Sequence, residues 1–325
     1  MIVTILGGTG TLGTEVVKEL LLNPRINRIR ILSRGEHRQV EMARELTSSK
    51  LDFFIGDIRD AERVERAVNG AEWVFHFAAM KHVDKAEYDP DEAVKTNIHG
   101  TGNVISACKK MGVGRAIFTS TDKAVAPINV YGATKLVAEK LFIQANIGGG
   151  TARFSVARYG NVFGSQGSVA TIWAKRLKKR ESIQITHYDM SRFFISKGDA
   201  AKFVVSCLED SRGAEVFVPK MKATTMKYLF ETMVKRLGVS REDYVFEREA
   251  LKTVGVRPGE KMHEVLISKD EIAMTTELED RYIIWPSYHL FPAKKRGSPI
   301  KQEFTSLNAR AINDDELNAM IDEVI

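Results

Sequence analysis

The sequence predicts an α/β fold: a doubly wound parallel sheet with a smaller C-terminal region. Short apolar runs alternate with segments of helical period over the first half of the chain, and the first run leads straight into glycines spaced three apart. After the run "ARFSVARYG" (152–160) the alternation loosens, which marks the second region.

The runs "IVTIL" (2–6), "RIRIL" (28–32), "LDFFI" (51–55), "AEWVFHF" (71–77) and "RAIFTS" (115–120) are short and largely apolar, as strands covered on both faces require. Between them "TEVVKELLL", "RQVEMAREL", "AERVERAV" and "TGNVISACKKM" carry the helical period. Later, "DAAKFVVSCLED" and "TTMKYLFETMVKRLG" read as amphipathic helices with core Met and Phe, and "KRLKKR" (175–180) as a cationic run on a helix. The organisation expected is a Rossmann-like nucleotide-binding domain over 1–162, to which part of the later chain returns. A substrate-binding region over 163–285 and a tail over 286–325 ending in the helix "DDELNAMIDEVI" complete it.

With 325 residues, 44% hydrophobic and 28% charged, the chain is an ordinary globular protein, large enough for one domain and an appended region. A net charge of +6 suits an anionic ligand, and a nucleotide-sugar diphosphate suffices. No nucleic-acid motif and no membrane-length apolar run is present, so neither partner is expected. The opening "MIVTILGG" is already a strand, which leaves no room for a signal peptide and predicts a cytoplasmic protein. Cys108 and Cys207 lack CxxC spacing and are expected to be buried thiols; the histidines His76, His82, His99 and His187 lack ligand spacing, so no metal is expected.

The first strand runs into "GGTGTLG", with Gly7, Gly10 and Gly13 placed for a tight turn that brings the backbone and a helix N-terminus to a pyrophosphate. The second strand ends in "ILSRGEHR": Ser33, Arg34 and Arg38 stand where an NAD enzyme carries an acid, and they suit a 2′-phosphate. Asp57 and Ile58 in "GDIRD" are placed near an adenine, so NADP is the cofactor expected.

The stretch "STDKAVAPINVYGATK" concentrates the chemistry. The strand "RAIFTSTDK" delivers Thr121, Asp122 and Lys123 into the crevice; Tyr131 opens the next helix and Lys135 follows one turn on. A phenolate at Tyr131, favoured by the Lys135 ammonium, removes a hydroxyl proton while NADP+ takes the carbinol hydride. Asp122 and Lys123 supply an acid and a base, which oxidation alone does not need. A ketone acidifies the neighbouring C–H, so a base and an acid beside it permit elimination of water, after which the hydride returns. For Lys123 to be that base, its pKa is expected to fall.

Nine stretches in order, "GGTGTLG", "GDIRD", "AAMKHVDKAEYDP", "KTNIHGTGNV", "STDKAVAPINVYGATKL", "RYGNVFGSQGSV", "MSRFFIS", "EVFVPK" and "VRPGEKMHEVLI", span residue 7 to about 267. With them the chain resembles the inverting UDP-N-acetylglucosamine 4,6-dehydratases that open pseudaminic acid biosynthesis, polysaccharide biosynthesis proteins within the extended short-chain dehydrogenase/reductases. Hexose 4,6-dehydratases acting on dTDP-glucose carry Thr-Asp-Glu where this chain has Thr121, Asp122 and Lys123.

The resemblance implies that Lys123 is the base at sugar carbon 5 and Asp122 the acid at the carbon 6 hydroxyl. Thr121 would hold the carbon 4 oxygen, with Tyr131 and Lys135 driving oxidation there. The cofactor would lie on Gly7, Thr9, Gly10, Thr11, Leu12, Gly13, Ser33, Arg34, Arg38, Asp57, Ile58, Phe77, Ala78, Ala79, Lys81, Tyr131, Lys135 and Val162. UDP-N-acetylglucosamine would meet Lys81, Asn97, Asn161, Gln166, Val169 and Thr186, with Arg192, Arg257 and Glu260 holding the uridine diphosphate. The family has Arg where this chain has Gln166 in "GSQGS", and related dehydratase/5-epimerases carry Met at the position of Tyr131. A homo-oligomer, dimer or hexamer, is implied. The alternatives are an epimerase or reductase of the same fold that uses Tyr131 without elimination, and a non-catalytic NADP-binding module.

Overall fold

A computed structural model describes residues 1–238, 251–287 and 295–325. Its centre is a ten-stranded sheet. The strands of the first half are β1 (Ile2–Leu6), β2 (Arg28–Ser33), β3 (Leu51–Ile55), β4 (Trp73–His76), β5 (Arg115–Thr121) and β6 (Arg153–Tyr159). They pair in parallel in the order β3-β2-β1-β4-β5-β6, the doubly wound arrangement the alternation predicts. Between them run α1 (Thr11–Leu21), α2 (Glu36–Leu46), α3 (Ala61–Val68), α4 (Val83–Tyr88), α5 (Pro90–Val94), α6 (Gly100–Lys110) and α7 (Val130–Gln144). Strand β4 is shorter than expected, because Ala71 and Glu72 close the turn after α3 and only the Glu72 amide reaches the Ile2 carbonyl.

After β7 (Asn161–Val162) the chain forms α8 (Val169–Lys178), β8 (Ile183–Ile185), β9 (Ser191–Ile195), α9 (Lys197–Asp210), β10 (Val216–Pro219), β11 (Lys222–Thr225) and α10 (Met226–Arg236). Beyond them lie β12 (Leu251–Thr253), β13 (Val265–Ile267), β14 (Thr275–Glu277), β15 (Arg281–Ile284), β16 (Ser298–Pro299), β17 (Phe304–Thr305) and a C-terminal helix, Asp314–Asp322. Strand β10 extends the parallel sheet beside β6, and β15, β14 and β16 continue it antiparallel.

Two apolar cores result. The larger holds the sheet and includes Phe203 and Val204 of α9, Leu266, and Ile283 to Trp285, so several later segments contribute to it. The smaller gathers Phe163, Trp173, Leu229, Met233, Leu317 and Ile321. The tail packs on the body: Ala311 bridges Ala223, and β17 pairs with β13. Residues 288–294 of the expected tail lie outside the described residues. Both cysteines are buried, and burial pushes their thiols up. No helix among the described residues is long and apolar enough to cross a membrane.

Candidate active site

A cleft of about 1290 Å³ opens at the carboxyl ends of β1 to β6. That exceeds the roughly 300–1,000 Å³ that houses a drug-sized molecule, and leaves room for a dinucleotide and a second ligand. Its floor is the glycine turn. Gly7 has φ +86°, and a Cβ there would lie 2.7 Å from the Ala78 nitrogen. A Cβ on Gly13 would come within 2.5 Å of the Gly8 carbonyl oxygen. Gly10 precedes α1 without a side-chain cap, so the first-turn amides are left for a ligand. This cradle fits a dinucleotide pyrophosphate.

Every residue expected at the cofactor lines the cleft, from Gly7 to Val162. Arg34 is largely open, 3.9 Å from Asp57, and Arg38 lines the same wall. Ser33 is turned further inward than expected: its hydroxyl accepts a hydrogen bond from Gln39 Nε2 at 2.9 Å. Asp57 is tied to Arg59 by hydrogen bonds of 2.8 and 3.0 Å, which hold its carboxyl below the usual range despite partial burial. Lys81 donates to the Gln166 carbonyl oxygen at 2.9 Å, while the Gln166 amide donates to Thr11 Oγ1 at 3.2 Å. The loop between β7 and α8 thus crosses from one cleft wall to the other by its main chain.

At the far end lie the proton-handling groups. Thr121 caps the 3-10 turn Asp122–Ala124, and its hydroxyl donates to Asp122 Oδ1 at 2.8 Å. The same oxygen accepts from Lys123 Nζ at 2.9 Å. A hydrogen-bonded run Thr121–Asp122–Lys123 results, and Thr121 also acts on the Tyr131 phenol, opposing the rise that burial causes. Asp122 is fully buried, and its Oδ2 has no partner among the described residues. Asn161 Oδ1 lies 3.5 Å from Lys123 Nζ, and Val169 also lines the cleft.

Three expectations are corrected. Lys123 does not lose its proton affinity: burial lowers it, but Asp122 and Glu264 outweigh burial and hold the amine firmly as ammonium. Burial raises the Tyr131 phenol, and the cation that opposes this is Lys123 rather than Lys135. Lys135 lines the cleft, but its Nζ donates to the Thr119 carbonyl at 2.6 Å and lies 3.8 Å from the centre of the Phe118 ring; burial lowers it to about 7.

Asn97 does not line the cleft. It sits in a π-helical turn, Lys95–His99, and its amide is consumed by the Met80 amide and carbonyl, at 2.8 and 3.0 Å, and by Thr134 Oγ1. It clamps the loop after β4 onto α7. Thr186, Arg192, Arg257 and Glu260 stand outside the cleft lining. Thr186 follows β8 and Arg257 is exposed. The Gly259 carbonyl accepts from Asn129 Nδ2 at 2.8 Å, so the "RPGE" loop docks at the start of α7. Arg192 lies deeper, its Nε 3.7 Å from Glu264.

Sequence reasoning missed Tyr159 and Glu264. Tyr159 ends β6, lines the cleft and lies near Tyr131; its place at the carboxyl end of a sheet strand was the available signal. Glu264 arrives from a distant segment and carried no such mark. No group of three or more His, Cys, Asp or Glu among the described residues is placed to hold a metal.

The sequence pattern of polysaccharide biosynthesis proteins matches residues 3–286. The chain belongs to the polysaccharide biosynthesis protein family. It is 44% identical to a UDP-N-acetylglucosamine 4,6-dehydratase (inverting) of Campylobacter jejuni, over 89% of this chain and 84% of that protein. Another relative, a UDP-glucose 4-epimerase of Rickettsia rickettsii, is 35% identical over 98% of this chain and 94% of its own length. Among solved structures, Pen from Bacillus thuringiensis superposes with a TM-score of 0.87 at 36% identity, covering 99% of this chain and 97% of its own. The family thus includes proteins named for elimination and for epimerisation, and the fold is that of the extended short-chain dehydrogenase/reductases.

Proposed function

We propose that this protein is an NADP-dependent 4,6-dehydratase of UDP-N-acetylglucosamine that inverts carbon 5 and yields a 4-keto-6-deoxy sugar, UDP-2-acetamido-2,6-dideoxy-β-L-arabino-hex-4-ulose. The observation that carries the reading is the hydrogen-bonded run Thr121–Asp122–Lys123, whose Thr121 and Lys123 line a dinucleotide-sized cleft together with Tyr131. Epimerisation at carbon 4 needs one proton acceptor; this site has an acid and a base besides. The similarity to the Campylobacter dehydratase supports the same reading.

A bound nicotinamide supplies reversible hydride acceptance, so the sugar is oxidised and re-reduced without net change of the dinucleotide. The chain's own groups move the protons. Tyr131 takes the proton of the carbon 4 hydroxyl. Thr121 has one hydroxyl proton, which it donates to Asp122; turning it to a phenolate at Tyr131 frees an Asp122 lone pair. A proton passing from Lys123 Nζ to Asp122 Oδ1 across 2.9 Å then leaves a neutral amine beside a carboxylic acid. The amine removes the carbon 5 proton and the acid protonates the departing carbon 6 hydroxyl, which leaves as water.

The test is product NMR after incubation with UDP-N-acetylglucosamine and NADP+. A new carbon 6 methyl beside a carbon 4 ketone supports the proposal. Recovery of only the carbon 4 epimer, or of unchanged sugar, overturns it.

A further inference from the structure

Glu264 is buried to 3% exposure, and its place is fixed by the chain around it. Its amide donates to Ser306 Oγ at 2.9 Å, and Ser306 meets Ser191 Oγ at 2.7 Å, which also contacts His263 Nδ1 at 2.7 Å. The carboxylate itself takes no part in that lattice. Its Oε1 lies 3.8 Å from Lys123 Nζ and 3.7 Å from Arg192 Nε, and its Oε2 is buried with no hydrogen-bond partner among the described residues. A carboxyl retained only for packing would be costly there, because burial without partners penalises it.

We propose that Glu264 is a positioning residue that decides, by its own charge, whether the proton shared by Asp122 and Lys123 rests on the Lys123 nitrogen. The proposal rests on the reading of Lys123 as a base. The groups facing Glu264 are Lys123 and Asp122 from the turn after β5, Arg192 from β9, and Lys261 from its own segment, whose Nζ is tied to the Val125 carbonyl at 2.6 Å. Of the charges, Lys123 acts on Glu264 more strongly than Asp122 does. An ionised Glu264 therefore attracts the ammonium more than it repels the neighbouring carboxylate, and keeps the proton on nitrogen. Burial first of all pushes the Glu264 carboxyl up, so it takes a proton more readily than an open glutamate. Once it does, the Lys123 N–H bond breaks and the Asp122 O–H bond forms with one anion fewer opposing the shift. No electrons are transferred, and the total proton count of the Asp122–Lys123 pair is unchanged.

The experiment is competitive acetylation of Lys123 across pH, read by mass spectrometry on the full chain without substrate. In Glu264→Gln the labelling midpoint is expected to fall by about one unit, which is about tenfold more free amine at fixed pH. Glu264→Asp, which keeps the charge, is expected to label much as the native protein does. Should the amide not be accommodated, Glu264→Met is neutral and of similar length, and must give the same downward shift. Midpoints that stay fixed in the neutral variants, or that fall equally in the Asp variant, overturn the proposal. The readout needs no turnover. Failure of native protein to dehydrate UDP-N-acetylglucosamine would sink the functional reading while leaving these midpoints to be judged separately.

Discussion

Arg158 grips Glu139 through two hydrogen bonds, Nε to Oε1 at 3.0 Å and Nη2 to Oε2 at 2.7 Å, and both residues are almost wholly buried. The same guanidinium donates to both Glu271 oxygens at 2.9 Å and to the Leu266 carbonyl at 3.0 Å. Glu139 lies one turn beyond Lys135 on α7, so this knot pins the helix carrying Tyr131 and Lys135 to β6 and to the segment after β13. Arg158→Met would strand two carboxylates in the core. The expected cost is about 3–5 kcal/mol, read as a lowered urea midpoint with unchanged slope. A loss under about 1 kcal/mol would show that the knot is not a structural pin.

Thr121→Val keeps the shape of the side chain and removes the hydroxyl that donates to Asp122 and acts on the Tyr131 phenol. The expected effect is a fall of about 10²-fold or more in kcat with KM little changed, while Thr121→Ser recovers most of the rate. Equal rates for the Val and Ser variants would remove Thr121 from the proton path.

Lys135 is buried and its pKa falls to about 7 from 10.5 because burial disfavours the ammonium. The sign follows from proton counts: between about 7 and 10.5 the unfolded chain holds a proton there that the folded chain does not, so this group makes stability rise with pH across that window. Below it the penalty for burying the charge is fully present. Lys135→Met should accordingly be more stable than the native protein at pH 6, by a few kcal/mol at about 1.4 kcal/mol per unit, and the gap should close toward pH 10. Denaturant titrations of both proteins at several pH values check this. A gap that widens with pH would refute the assignment.

Arg34 and Arg38 are the cations on the wall where a ribose 2′-phosphate would lie. The native protein is expected to bind NADP+ more tightly than NAD+, and Arg34→Ala to remove most of the preference. Each charge-assisted contact contributes on the order of 1.5–3 kcal/mol, so tenfold or more in Kd is at stake. Calorimetry with both dinucleotides decides, and equal native affinities would defeat the claim.

The fold was legible because strands buried on both faces must be apolar and helices between them must be amphipathic; all five early runs and "ARFSVARYG" became sheet strands. The cleft lining was legible for a related reason, since residues at the carboxyl ends of those strands face the cleft wherever the chain goes next. Charge states were not. Lys123 looked ready to lose its proton, but its Nζ donates to Asp122 at 2.9 Å, and Glu264, 141 positions later, comes within 3.8 Å to add to that hold. The place of Asn97 was not legible either, because a π-helical turn directs its amide to Met80 and Thr134.

The main-chain bridge from Thr11 through Gln166 to Lys81 has a kinetic consequence. One or other of these hydrogen bonds must part before the glycine-turn wall and the wall after β4 can separate at that point. A dinucleotide seated behind them would exchange slowly even if its equilibrium affinity were modest. Residence time would then outlast many turnovers, which suits a carrier that ends each cycle in the state in which it began.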